Sequence, residues 1–190
     1  DNIFIPDGNF ALKSGDKIGI TAPPNELENL FRSLGSYKKS AKNVMIMGGS
    51  RTALYLAEML TEIGSSVKII EKNAEVCEQL SEALPKAVII QGDGTEQELL
   101  LEEGVKSLDA FVSLTGIDEE NILISIFASS KNVPNVISKV NRDELIPLAE
   151  NLGLDCLISP NRLIADVAVS YARALQNSLG AAMSIFGLND

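Results

Sequence analysis

From Lys42 onward the chain alternates short apolar runs with longer stretches of helical periodicity. The runs lie at 44–47, 67–71, 87–91, 110–114, 136–140 and 156–158. Most of their positions are apolar in succession, the pattern of strands buried on both faces. Between them, 51–63, 74–83, 96–102, 119–131 and 142–151 predict helices. Gly64, Gly104 and Gly153 follow three of these, where a C-terminal cap glycine belongs. Strands and helices alternating through short loops imply right-handed crossovers and an α/β, doubly wound parallel sheet. After the last strand, Ser159 is expected to cap a long helix that starts at Pro160 or Asn161 and runs to about Ser178.

The first forty residues have another rhythm. Residues 1–22 predict two short strands around a turn at Pro6, Asp7 and Gly8, with a second turn at Ser14, Gly15 and Asp16. Two strands alone make a marginal sheet, so this segment is expected to need a partner surface. Pro23 and Pro24 break the pattern. Asn25 is placed to cap a helix over 26–34, and Gly35 to stop it. Residues 36–40 are a polar linker, which puts a boundary near residue 40. The expected organisation is 1–40 as a short β remnant of another domain plus linker, 41–160 as the sheet domain, and 161–190 as a crossover helix leading onward. The chain opens on Asp1 without an initiator methionine, and reads as a piece of a longer protein.

Composition narrows the function. The chain has 190 residues, 45% of them hydrophobic, and a net charge of −10. That acidity argues against a nucleic-acid footprint and against an anionic membrane surface. Trp is absent and aromatics are 5%, so the core is expected to be aliphatic. With no His, there is no imidazole for a nucleophile pair, a metal or an acid–base step. Cys77 and Cys156 lie too far apart to form a zinc site alone, and each is expected to be a small buried side chain. No apolar run is long enough to span a bilayer.

The chemistry concentrates at the ends of the predicted strands. Gly48, Gly49, Ser50, Arg51, Thr52 and Ala53 follow the first one and open a helix. This matches the dinucleotide fingerprint with Ser50 at its second glycine and Ala53 at its third. The third position tolerates Ala, whereas a Cβ at the second is expected to intrude on an approaching pyrophosphate. Glu71 ends the second strand 23 residues beyond Gly48, which suits a carboxylate accepting from ribose hydroxyls. Arg51 is placed to pair with phosphate at a helix N-terminus. Asp93, between Gly92 and Gly94, is either a partner for an adenine amino group or part of a turn with Thr95 as helix cap. Thr115 and Gly116 point into the same crevice. Asp118, Glu119 and Glu120 suit the cap and first turn of the next helix. Lys139 either reaches phosphate or is a solvated residue at a strand end. Together these features describe a Rossmann-like nucleotide-binding domain.

These residues, with Asn121 and the 136–141 segment, resemble the nucleotide-binding domain of the family that regulates potassium conductance. Among its members, the peripheral subunits of Trk-type potassium uptake systems are the most similar. The resemblance covers about residues 42–180. It implies that Gly48, Gly49, Ser50, Arg51, Thr52, Glu71, Asp93, Thr115, Gly116 and Lys139 line a crevice for NAD(H), with ATP or ADP as alternatives. It also implies a cytoplasmic homodimer, assembling further in the full-length protein, that acts on a membrane potassium-translocating subunit without inserting into the bilayer. Ser50 departs from the family's usual Gly, and Lys139 stands where Arg is frequent, so a bidentate phosphate contact would be lost.

Two other readings compete. One is a dehydrogenase on the same fold, the other a scaffold that binds no nucleotide. Against the first, Tyr37, Tyr55 and Tyr171 are followed four residues on by Ala41, Met59 and Leu175, so no Tyr–Lys catalytic pair exists at that spacing. Ser50 and Ala53 favour the second. The helices over 119–131 and 142–151 carry Ile122, Leu123, Ile124, Ile126, Phe127, Ala128, Leu145, Ile146 and Leu148, more apolar surface than one sheet face is expected to need. A two-fold dimer through them, with Asn161–Ser178 crossing to the partner, is the expectation.

Overall fold

A computed structural model describes Phe10, Ala11, Lys13, Ile20, residues 23–34 and residues 41–186, with side chains in the last helix described through Arg173. The chain divides into two compact units, Asp1–Ser40 and Ala41–Asp190. In the first, helix α1 spans Pro24–Ser33. Pro23 holds the N-cap position and Pro24 opens the helix, where a missing N–H costs nothing. Asn25 therefore lies inside the helix and does not cap it. The two strands expected within 1–22 and the stop at Gly35 lie outside the described residues.

The second unit is a six-stranded, all-parallel sheet. Its strands are β1 (Asn43–Met47), β2 (Ser66–Glu71), β3 (Val88–Gln91), β4 (Ala110–Ser113), β5 (Val136–Lys139) and β6 (Cys156–Ile158). They lie in the order β3-β2-β1-β4-β5-β6, the doubly wound arrangement the alternation predicted. Helices α2 (Arg51–Glu62) and α3 (Ala74–Ala83) connect the strands on one side of the switch point, α4 (Gln97–Glu102) lies on the connection that crosses from β3 to β4, and α5 (Asp118–Ser130) and α6 (Ile146–Asn151) connect the strands on the other side. The sheet is apolar on both faces because it is covered on both. Val44 and Ile46 of β1 pack with Ala53, Ala57 and Leu80. The alternate residues Met45 and Met47 pack with Leu100, Phe111, Ile124 and Phe127.

Gly64, Gly104 and Gly153 all adopt positive φ after their helices, as their positions predicted. Other local expectations change. The helix expected over 142–151 is a 3-10 turn at Asp143–Leu145 followed by α6. Pro147 has no N–H to give the Asp143 carbonyl, and its ring would clash there in a continuous α-helix. Helix α7 runs Pro160–Phe186, beyond the expected Ser178. Ser159 directly precedes it: its carbonyl accepts from Leu163 N–H, and its Oγ donates to Asp143 Oδ1 at 3.3 Å.

Cys77 is buried, whereas Cys156 is exposed because β6 is an edge strand. The surplus expected on α5 is mostly core: Ile122, Ile124, Phe127 and Ala128 are buried, and Leu123 is exposed. On α7 the reverse holds, with Leu163, Ile164, Val167 and Tyr171 all exposed. Among the described residues, no helix is long and apolar enough to cross a membrane.

Candidate functional site

The carboxyl ends of β1, β2, β3 and β4 meet at a cavity of about 250 Å³. Strand β1 is followed by Gly48, whose φ is +95°. A Cβ there would sit 3.0 Å from Thr115 N and 3.1 Å from both Leu114 C and Thr115 Cα. Glycine is thus required twice, for its backbone angle and because the β1–α2 turn presses on the backbone after β4. Neighbouring hydrogen bonds hold the crossing: Gly48 N–H to the Ile70 carbonyl and Leu114 N–H to the Met47 carbonyl, each 2.8 Å.

Ser50 is extended, with φ −67°, and caps α2; its Oγ accepts from Ala53 N–H at 3.3 Å. The residue at the fingerprint's second glycine therefore needs no special backbone angle and takes one of the helix's unpaired N–H groups. The N–H groups of Arg51 and Thr52, in the first turn, have no carbonyl upstream within the helix. They form the positive end of the α2 dipole beside the cavity.

Glu71 ends β2, and its carboxylate is held at both oxygens. Oε2 accepts from Gly49 N–H at 2.6 Å and Oε1 from Asn73 N–H at 2.7 Å. A Cβ on Gly49 would lie 2.9 Å from Oε2 and 2.6 Å from Val76 Cγ1, so this glycine lets the loop close onto Glu71. Asn73 in turn caps α3, accepting from Glu75 and Val76 N–H.

After β3, Asp93 Oδ1 accepts from Thr95 N–H at 3.0 Å and Thr95 Oγ1 at 2.6 Å, and Lys72 Nζ bonds Oδ2 at 2.6 Å. The Lys72 bond first, then the two Thr95 bonds, hold the Asp93 carboxyl well below the ordinary carboxylate range. The same bond and charge raise Lys72 above its usual value. Thr95 does not cap α4; Glu96 holds that position without a side-chain bond.

The β4–α5 loop supplies Thr115 and Gly116. Asp118, expected as the cap of α5, is its first residue instead, and Ile117 is the N-cap. Asp118 is buried and accepts from Asn141 N–H, Asn141 Nδ2 and Arg142 N–H at 2.9–3.0 Å. Burial alone would raise its pKa, but these bonds and the Arg142 charge lower it below the usual value. Arg142 also pairs with Glu119.

Of the residues singled out in the sequence, Gly48, Gly49, Ser50, Glu71, Asp93, Thr115 and Gly116 come together on the cavity wall. Arg51, Thr52 and Lys139 are not part of that wall. Arg51 and Thr52 are exposed in the first turn of α2, and the Lys139 carbonyl accepts from Asn121 Nδ2 at 3.0 Å. Sequence reasoning missed Lys72 and Glu120 as wall residues. Lys72 directly follows Glu71 at a strand end, a position that signalled it. Among the described residues, no cluster of three metal-ligating side chains exists.

A doubly wound sheet with a glycine turn at its switch point belongs to the Rossmann-like class of nucleotide-binding folds. The chain is a member of the TrkA-N domain family, whose profile matches residues 44–160. A Trk system potassium uptake protein TrkA homolog of Archaeoglobus fulgidus is 34% identical over 175 residues, 92% of this chain and 40% of that protein. A trkA homolog 1 of Methanosarcina mazei is 32% identical over 161 residues, 84% of this chain and 40% of that protein. The chain thus spans about two fifths of the length of these relatives. Among solved structures, the GsuK RCK domain superposes with a TM-score of 0.63 at 17% identity, covering 82% of this chain and 33% of that one. The Shewanella denitrificans Kef CTD in its AMP-bound form gives 0.59 at 16%, covering 77% and 89%. The GsuK channel bound to NAD gives 0.52 at 16%, covering 71% and 25%.

Proposed function

We propose that the chain is a nucleotide-binding regulatory module of a Trk-type potassium uptake system, and that it binds NAD(H). The observation that carries this is the convergence of the Gly48 turn, the α2 N-terminus and the Glu71 carboxylate on one cavity, in a family whose named relatives are potassium uptake proteins. The residues fit such a ligand. The N–H groups of Arg51 and Thr52 and the α2 dipole suit a pyrophosphate. Glu71 is held in place by Gly49 and Asn73, and each carboxylate oxygen keeps a second lone pair for a ribose hydroxyl. Its charge repels a 2′-phosphate. The glycines at 48 and 49 bring backbone, not side chain, to the ligand.

One observation supports a second ligand. A cavity of about 250 Å³ is small for a whole dinucleotide, and its wall takes nothing from β5. ADP or ATP would place its adenosine end in the same space. Glu71, Asp93 and Glu120 against the single wall cation Lys72 weigh against the most highly charged nucleotides. On this reading the module works as a homodimer through the exposed apolar face of α7, assembles further in the full-length protein, and sits in the cytoplasm against a membrane potassium-translocating subunit. Ligand binding changes the geometry between protomers and so the state of that subunit. It supplies binding energy, not catalysis.

Calorimetric titration with NADH, NADPH and ADP tests the assignment. NADH is expected to bind more tightly than NADPH. Glu71→Ala should weaken NADH by roughly 1.5–3 kcal/mol, the range for a hydrogen bond to a charged group. Equal or tighter binding of NADPH by the unaltered chain would refute the role given to Glu71.

A further inference from the structure

Asn121 lies in the first turn of α5, is fully buried, and plays no part in the ligand contacts described above. Its amide makes four hydrogen bonds. Oδ1 accepts from Thr115 N–H at 3.0 Å and from Thr115 Oγ1 at 2.8 Å. Nδ2 donates to the Thr115 carbonyl at 3.2 Å and to the Lys139 carbonyl at 3.0 Å. Two acceptor and two donor sites are all an Asn side chain has, so it is saturated.

Its neighbours on the helix repeat the pattern. Asp118 binds the backbone after β5, and Ser125 Oγ lies 2.8 Å from Ser113 Oγ, which is 3.2 Å from Ser138 Oγ. A helix face turned toward a sheet is ordinarily apolar. A buried polar stripe is tolerated only when fully paired, and it then fixes the orientation of particular backbone groups. Here Asp118 fixes backbone after β5, and Asn121 fixes the loop that carries Thr115 and Gly116. Within the loop, Thr115 Oγ1 bonds the Ile117 backbone at 3.2 Å, and the Ile117 carbonyl accepts from Asn121 N–H at 3.1 Å. Ile117 itself is exposed and a Cβ on Gly116 would meet nothing within 4 Å, so the Asn121 side chain is what ties Thr115 to the end of β5.

Resting on the nucleotide reading, we propose that Asn121 is the positioning residue of this site, presetting the 115–117 loop before ligand arrives and fixing it to the end of β5. Asp at this position could accept from Thr115 but not donate to the two carbonyls. Ala would release all four contacts. Asn alone matches two donors on one side and two acceptors on the other at this reach.

The test compares Asn121→Ala with Ser125→Ala in the full 190-residue chain. Ser125 lies in the same buried seam but does not touch the loop, so it controls for lost stability. Three quantities are read: thermal midpoint, amide exchange at Thr115, and NADH affinity by nicotinamide fluorescence. Asn121→Ala should lose protection at Thr115 and bind NADH roughly tenfold more weakly. Ser125→Ala should bind as the unaltered chain does, even where its midpoint falls as far. Unchanged affinity in Asn121→Ala, or equal weakening in both variants, would overturn the proposal. Should Asn121→Ala not fold, Asn121→Asp keeps the volume and the acceptor contacts. Affinity within twofold of the unaltered chain in that variant would likewise overturn it. If the unaltered chain binds no nucleotide, yet Thr115 protection still depends on Asn121, the nucleotide reading fails and the loop-setting role stands.

Discussion

Replacing Gly48 with Ala separates two demands that the site makes on one residue. Gly48 and Gly64 have nearly the same backbone angle, φ +95° and +88°. They differ in surroundings. A Cβ on Gly64 would meet nothing within 4 Å, whereas one on Gly48 would meet three backbone atoms at 3.0–3.1 Å. Gly64→Ala should therefore cost only the left-handed conformation, about 1–2 kcal/mol. Gly48→Ala incurs that same strain plus overpacking against backbone that cannot rotate away, about 1–3 kcal/mol more. The extra penalty is not readily relaxed. The opposing strand end is pinned by the Leu114 N–H bond to Met47 and by the contacts of Asn121 with Thr115. Differential scanning calorimetry on both variants reads the difference. At about 2–4 °C per kcal/mol for a chain of this size, Gly48→Ala should melt roughly 2–12 °C below Gly64→Ala. It should also lose NADH binding, while Gly64→Ala keeps it. Equal melting temperatures with binding intact in both would refute the claim that the β1–α2 turn and the β4–α5 loop meet too closely for a side chain.

Two further outcomes follow from the same geometry. Asp118 has a folded-state pKa below its unfolded value near ~3.9. Its stabilisation is therefore complete above that value and is lost as pH falls through the folded pKa. Asp118→Asn should be less stable at pH 7 by roughly 1.5–3 kcal/mol, and should lose less on acidification, by urea denaturation at neutral and acid pH; identical pH slopes would refute this. The exposed Leu163, Ile164, Val167 and Tyr171 of α7 predict a dimer at micromolar concentration, and Val167→Asp should shift sedimentation to the monomer. A monomeric unaltered chain would remove α7 as the contact.

The elements of the sheet domain are legible in the sequence because each rests on neighbours a few residues apart. Runs such as 44–47 and 67–71 are strands because both faces are apolar, and Gly64, Gly104 and Gly153 end helices where a positive φ is needed. A doubly wound parallel sheet follows as well, since alternating strands and helices leave few right-handed ways to wind. The glycine turn and Glu71 were visible for the same reason. What tertiary structure decided was the partner of each polar side chain. Asp118 looks like a cap in the sequence, yet it binds Asn141 and Arg142, and the Ser159 hydroxyl reaches Asp143; the crossovers bring these residues alongside. Asp93 reaches the cavity wall, but Lys72 and Thr95, which sequence position alone does not pair with it, already bond its carboxylate. Arg51, Thr52 and Lys139 stand at the expected strand and helix ends but lie outside the cavity wall, and a position in sequence does not set the direction of a side chain. Asn121 has no local signature, since its bonds join residues 115 and 139, which come together only when β4, α5 and β5 have packed. A hydrogen bond needs a partner within about 3 Å. For buried polar groups that partner is chosen by the packing of distant segments, which local patterns do not encode.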